Sequence, residues 1–333
     1  MRDVAERAGV SGQTVSRVAN NVGNVAEPTR RRVEEAMVEL GYRPNIAARA
    51  LRLGSFRSIG VVMFNIETLG NVRTVSAIAG AAAARGYALE LIQVDGLQAD
   101  AAAGEVSWAL QRLALEAVDG IIVLLEKHLA TDAAIHLPEG VPSVVVDAGA
   151  ELGRPAVDAD QAQGTRLAVE YLLDLGHPTV RHVAGPEVSS SATAREATWR
   201  ETLLEFGCVV HEPLRGDWTP RSGYEAGSVL AGDADVSAVF VANDQMALGV
   251  MRAFHERGVR IPEDVSVVGF DDMAESADFW PPLTTVHQRF EAVGSTAVEL
   301  LVEQIEQGAV SAGMRRISTS LVVRESAGPY RRR

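Results

Sequence analysis

Residues 4–20 constrain this chain more than any other stretch. Val4, Ala5 and Ala8 share one face of a helix. Gly9 follows, and glycine accepts the left-handed backbone on which helices stop. Ser11 is placed to cap a second helix. In that helix Val15, Val18 and Ala19 point one way, whereas Gln13, Thr14, Ser16, Arg17 and Asn20 point elsewhere. A helix this short is marginal alone, so the pair must hold each other. The polar set suits a duplex: Gln matches adenine, Arg matches guanine, and Ser, Thr and Asn suit phosphate oxygens. The pattern is a helix-turn-helix whose second helix enters the major groove. A helical hairpin with a merely solvated face draws on the same residues, and the rest of the chain weighs against it.

Charge sharpens the point. The net charge of −13 argues, taken whole, against a polyanion partner. Its distribution says otherwise. Arginine outnumbers acid up to Arg57, with Arg30-Arg31-Arg32, Arg43, Arg49 and Arg52 among the contributors. Phosphate binding is local, so a basic head on an acidic body is the asymmetry that matters. Cys208 is the only cysteine, which excludes an internal disulfide framework and fits a reducing compartment. No apolar run approaches the ~20 residues of a membrane span, and the chain runs into its first helix without a signal-like segment. A cytoplasmic protein with no membrane partner is expected.

Residues 28–40 predict a third helix. Pro28 suits its first turn, Val33, Ala36, Met37 and Leu40 form its apolar stripe, and Gly41 stops it. Pro44 to Gly54 predicts a short helix with small residues on one side and Leu51 projecting. It is either a linker or a hinge helix that wedges leucine into the minor groove and orders only on DNA. From Ile59 the texture changes. Apolar runs at 59–64, 88–94, 120–125 and 143–147 read as buried parallel strands, with helices at 72–85 and 101–117. A second such unit follows, with helices at 161–175, 194–206, 222–230 and 245–257 and strands at 180–184, 238–242 and 266–270. A long helix at 290–307 and a final strand at 317–324 complete it. The predicted organisation is a DNA-binding head (1–44), a hinge helix and linker (45–58) and an α/β core of two doubly wound lobes (59–333). Two lobes make a cleft, and ligands of open α/β sheets sit beyond the carboxyl ends of strands.

The motifs resemble the LacI/GalR family of bacterial transcription regulators over essentially the whole chain. They are Asp3-Val4-Ala5 to Arg17; Gly41-Tyr42-Arg43-Pro44-Asn45 with Ala48-Arg49 and Leu51; Asp174-Leu175-Gly176-His177; Val241 to Gly249; Ser266 to Asp272; and Pro281-Pro282-Leu283-Thr284-Thr285-Val286. Several, with Gly216-Asp217-Trp218, resemble most the member that gives the family its name. The resemblance implies a helix-turn-helix head and hinge helix before a core like a periplasmic sugar-binding protein. It also implies a homodimer on palindromic operator DNA and a small-molecule effector, mostly a sugar. By match to the motif, Gln13 and Arg17 face bases, Ser11, Thr14, Ser16 and Asn20 lie near phosphates, and Asn45, Ala48 and Leu51 belong to the minor-groove segment. Gly12 departs from the family's base-reading side chain. The cap of the first helix is absent, and Ala26-Glu27-Pro28 replaces the serine cap of the third. No leucine heptad precedes Arg333, so a dimer is expected and not a tetramer.

A sugar offers hydroxyls and an apolar ring face, so its site needs planar polar groups and an aromatic platform. Asp147, Asn243 and Asp271 stand at strand ends, Arg195 opens a helix after the serine run 189–191, Gln288 lies beside Phe290, and Trp218 and Phe290 are candidate platforms. The resemblance places all seven in the effector pocket. Asp271 beside Asp272 also suits a turn cap, Trp218 and Phe290 suit plain core, and one of Asn243 and Asp244 suits a helix N-cap. Around Val94-Asp95-Gly96-Leu97 the family's type member carries a sugar-holding arginine that is absent here, so a sugar is expected but not specifically a galactoside. A repressor of a carbohydrate operon, released by inducer, is the leading reading. A corepressor-dependent regulator of the same family with a non-sugar ligand is the alternative within it. A small-molecule-binding protein without DNA function is the alternative outside it. An enzyme is disfavoured. Asn65 to Gly70 holds no glycine-rich phosphate turn, no elbow serine with a base is present, and His177 with His182 lacks metal partners. No cofactor, metal or catalytic residue is expected.

Overall fold

The computed structural model describes residues 1–19, 23, 25–42, 54–64, 68–94, 99–115, 118–124, 140–147, 154–308 and 312–331. Asn20, Asn45, Ala48 and Leu51, with most of the expected hinge helix, lie outside the described residues. The chain divides into two compact units, Met1–Arg57 and Ser58–Arg333.

The first unit holds α1 (Arg2–Ala8), α2 (Gly12–Ala19) and α3 (Glu27–Glu39). Gly9 ends α1 at φ 65°, and its amide bonds back to the last turn. Ser11 Oγ accepts from the Thr14 amide at 3.2 Å, the geometry of an N-cap. Neither Met1 nor Ala26 makes a side-chain cap for its helix. Val4, Ala5, Ala8, Val15, Val18, Val33 and Ala36 meet in one small core. Leu40 departs from its expected place in the stripe: it caps the end of α3 and is exposed.

The second unit holds two six-stranded sheets. The first has strand order β11-β5-β4-β3-β1-β2, built from β1 (Ser58–Phe64), β2 (Ala88–Val94), β3 (Gly120–Leu124), β4 (Ser143–Val146), β5 (Pro155–Ala159) and β11 (Gly313–Ile317). All its pairings are parallel. One face packs on α4 (Leu69–Ala84) and α10 (Phe290–Gln307), and the other on α5 (Ala99–Leu115). Alternate residues of β1 serve the two faces, Ile59, Val61 and Met63 on one and Val62 on the other. A strand buried on both faces must be apolar throughout, and so such runs are visible in a sequence.

The second sheet has order β12-β10-β9-β8-β6-β7, built from β6 (Arg181–Ala184), β7 (Leu214–Arg215), β8 (Ala238–Val241), β9 (Ser266–Asp271), β10 (Thr284–His287) and β12 (Ser320–Val322). Only the β10–β12 pair is antiparallel among the described pairings. Helices α6 (Gln161–Asp174) and α7 (Ser190–Glu205) cover one face; α8 (Pro220–Leu230) and α9 (Asp244–Glu256) cover the other. The chain passes between lobes three times, at Asp160, at Gln288-Arg289 and at Ser318-Thr319.

Three expectations change. The single strand at 317–324 is two strands in different sheets, because residues 318–319 are a crossover. Helix α7 begins at Ser190 and not at Ala194, because Ser189 caps it and accepts from the Ala192 amide. Strands β5, β7 and β10 were not foreseen: Pro155 and Asp158 break the apolar run of β5, β7 is two residues long, and β10 carries the polar Thr284 and Thr285.

Candidate functional site

In the head, Gln13 and Arg17 sit one turn apart on the exposed side of α2, opposite the buried Val15 and Val18. Ser11 and Thr14 share a hydroxyl hydrogen bond of 3.0 Å at the start of this helix. Ser16 is half-buried. Arg7 ties α1 to α3 through Glu39 at 2.7 Å. The face that carries Gln13 and Arg17 is therefore held by a core on its far side and left open to a partner.

In the second unit a cleft of about 740 Å³, partly open to solvent, collects all seven of the expected pocket residues: Asp147, Arg195, Trp218, Asn243, Asp271, Gln288 and Phe290. Both lobes supply them. Asp147 follows β4 and Asp271 ends β9, at the carboxyl ends of their strands. Three of the seven have positive φ without being glycine: Asp147 at 58°, Trp218 at 74° and Asp271 at 120°. Each such backbone costs of order 1–3 kcal/mol, and such outliers cluster where a site is held in place by its surroundings.

Arg195 is the centre of this arrangement. It is buried, donates from Nε to Gln161 Oε1 at 2.9 Å and from Nη1 to the Ala242 carbonyl. Its guanidinium lies 3.8 Å from the Phe270 ring centroid and 5.6 Å from that of Trp218. Burial lowers its pKa, and Asp271, Asp147 and Asp244 oppose that shift. Its Nη2 is 4.0 Å from Asp271 Oδ1. The Asp271 carboxyl is pushed up to about 6, chiefly by burial, while Arg195 pulls it back. Gln288 Nε2 donates to the same Oδ1 at 2.6 Å, and Gln161 Nε2 donates to Gln288 Oε1 at 3.0 Å. A closed ring results: Arg195, Gln161, Gln288, Asp271. Gln161 and Gln288 stand at two of the three crossovers, so the ring joins cleft groups to the segments that connect the lobes.

Asn243 is the N-cap of α9: Oδ1 accepts from the Met246 amide at 2.9 Å, and Nδ2 donates to the Trp218 carbonyl at 3.1 Å. It thereby fixes the backbone of Trp218. Trp218 lies so close to Gly185 that a Cβ there would overlap the ring. Asp244 sits behind the cleft and is fully buried. It accepts from Thr285 Oγ1 at 2.6 Å, Ser276 Oγ at 2.7 Å and the Met273 amide at 3.0 Å. Burial, and then Asp271, raise its carboxyl to about 7.

The cleft also contains groups the sequence did not flag, notably Asp158, Gln161, Thr68 and Asn71. A glutamine at a helix start carries no signal, and Asp158 lies in the unforeseen β5. Among the described residues no group of His, Cys, Asp and Glu could hold a metal ion, and no helix is long and apolar enough to cross a membrane.

Residues 1–45 match the family of bacterial regulatory proteins named lacI, and residues 169–327 match the periplasmic binding protein-like domain. The chain is 36% identical over 331 residues to the lactose operon repressor of Escherichia coli (strain K12), covering 97% of this chain and 89% of that one. The chain belongs to the LacI family. It is 32% identical over 333 residues to the HTH-type transcriptional repressor PurR of Pasteurella multocida (strain Pm70), covering 98% of each. Its fold is similar to the lac repressor dimer bound to operator and the anti-inducer ONPF, with TM-score 0.85, 35% identity and 98% of each chain covered. It is also similar to a complex of the transcriptional regulator CelR with cellobiose, with TM-score 0.69, 32% identity and 98% of each chain covered. As a LacI-family member the chain is a DNA-binding transcriptional repressor and not an enzyme.

Proposed function

We propose that this LacI-family repressor binds a palindromic operator as a homodimer and releases it when a sugar fills the cleft of the second unit. Gln13 and Arg17 read base edges, and Ser11, Thr14, Ser16 and Asn20 position the helix on phosphates. Asn45, Ala48 and Leu51 form the minor-groove hinge, with Leu51 as the wedge. Asp147, Arg195, Asn243, Asp271 and Gln288 meet the sugar's hydroxyls, and Trp218 and Phe290 meet its ring face.

The observation that carries the effector reading is the ring of Arg195, Gln161, Gln288 and Asp271. It links groups that line the cleft to two of the crossovers. A ligand that competes for Arg195 or Asp271 must rearrange bonds on which the mutual angle of the lobes depends. The cleft is also rich in acceptors, with Asp147, Asp158 and Asp271 on its walls. Many acceptors suit a ligand with many hydroxyl donors. A coupling of ~1–3 kcal/mol between cleft and head changes operator affinity about 5- to 150-fold.

The test is anisotropy of labelled palindromic duplexes from the flanks of the protein's own gene, against scrambled duplex, at two salt concentrations. Specific binding that weakens steeply with salt supports the DNA reading. A panel of sugars and nucleobases is then screened by thermal shift, and hits are added to the operator complex. Release by a sugar supports the inducer reading. Tightening by any ligand, or response only to a nucleobase, replaces it with the corepressor reading.

A further inference from the structure

Arg73 lies in the second turn of α4, in the first lobe, and no motif marks it. Its guanidinium crosses to the second lobe. Nη1 donates to the backbone carbonyls of Asp271 and Asp272, each at 3.2 Å. Both residues have positive φ, 120° and 52°. The same guanidinium lies 4.8 Å from the centroid of the Phe290 ring, and its Nη2 is 3.5 Å from Glu291. Phe290 and Glu291 open α10, which packs beside α4 in the first lobe. One side chain thus ties the lobes at a place other than the crossovers. It anchors the strained turn that carries Asp271 and backs the ring that forms a cleft wall.

We propose that Arg73 is a positioning residue of the cleft, a strap between lobes that fixes Asp271 and Phe290 in the geometry a ligand meets. The role depends on guanidinium chemistry. One planar Nη1 reaches two neighbouring carbonyls, the other arm of the fork faces Glu291, and the guanidinium rests over an aromatic ring. A lysine keeps the charge but loses both the fork and the plane. Hydrogen bonds from a charged donor are also stronger than neutral ones. The inference rests on the effector reading for the ligand, but the strap itself does not need one.

The test has two arms on the full chain. In a Cys208→Ser background, Ser191→Cys places one thiol on the cleft wall, and its rate of reaction with DTNB reports how often the cleft opens. Arg73→Ala raises that rate about tenfold, as expected for loss of charged hydrogen bonds, and Arg73→Lys lies between. A thiol at Val229→Cys, on the exposed outer side of α8, reacts equally in all three. Equal rates at the cleft thiol with and without the Arg73→Ala substitution overturn the strap.

In the second arm, the sugar giving the largest thermal shift with wild type is titrated against pH. Arg195 from α7, Gln288 from the crossover, Asp244 from α9 and Arg73 from α4 are the groups that face Asp271. Arg73→Ala weakens binding at least about tenfold and moves its pH midpoint upward, because the Asp271 carboxyl loses one of its two cations. Arg73→Lys restores most of the midpoint shift. An unchanged midpoint and affinity overturn the positioning role. If no sugar shifts the wild-type protein, the sugar reading fails, while the thiol rates still decide the strap.

Discussion

The recognition helix of the head and the cleft of the second unit solve the problem of presenting polar groups in opposite ways. On α2 the side chains of Gln13 and Arg17 stand in solvent, and the helix is held from behind by Val15 and Val18. In the cleft, Arg195, Asp271 and Gln288 are buried and bonded to one another. Under the proposed function, the head leaves Gln13 and Arg17 for a duplex to engage, whereas the cleft supplies partners in advance and a ligand displaces bonds that already exist. Substitutions in the first place are expected to alter binding alone. Substitutions in the second are expected to alter binding, stability and lobe geometry together.

Arg195→Ala breaks this contrast most sharply. It takes from the buried Asp271 the stronger of its two cations, and a buried pair that loses one partner costs roughly 3–5 kcal/mol of stability. Calorimetry should show that loss, and titration should show no response to effector, with operator binding retained. An intact response removes Arg195 from the site. Next comes Arg17→Ala, expected to lose ~1–3 kcal/mol of operator affinity by anisotropy, with stability within ~0.5 kcal/mol because the residue is exposed. A large fall in melting temperature would mean that α2 depends on Arg17 structurally, and the contrast between head and cleft would fail.

Gly185→Ala acts in the cleft without touching charge. Its methyl displaces the Trp218 ring, so sugar affinity should fall about tenfold in isothermal titration, within the ~1–3 kcal/mol typical of overpacking. A further test of the cleft is pH. The Asp271 and Asp244 carboxyls are raised to about 6 and about 7, above the unfolded value of ~3.9. A raised carboxyl binds protons more tightly in the folded state. Stability therefore falls as pH climbs from about 4 to about 7, and then levels off. A melting temperature of the second unit that rises with pH across this window would contradict the assignment.

What the sequence revealed depended on how each element announces itself. The head is legible because its turn chemistry is explicit: Gly9 takes positive φ and Ser11 caps, as their residue types require. Strands β1, β3 and β4 are buried on both faces and appear as unbroken apolar runs. Strand β5 hides Asp158 within its span, and β10 reads Thr284-Thr285-Val286-His287, whose threonines are fully buried but polar. The cleft residues at strand ends were legible by type and by family resemblance. Gln161 and Arg73 were not, because their roles come from neighbours remote in sequence: Gln288 and Arg195 for one, Asp271, Asp272 and Phe290 for the other.

The third passage of the chain between lobes has a consequence for biosynthesis. Strands β11 and β12 lie on either side of residues 318–319 and add an edge to each sheet. A nascent polypeptide that has reached residue 300 owns neither sheet in finished form. Neither lobe completes its sheet until residues 313–322 have been made, so a chain cut short before them is defective in both.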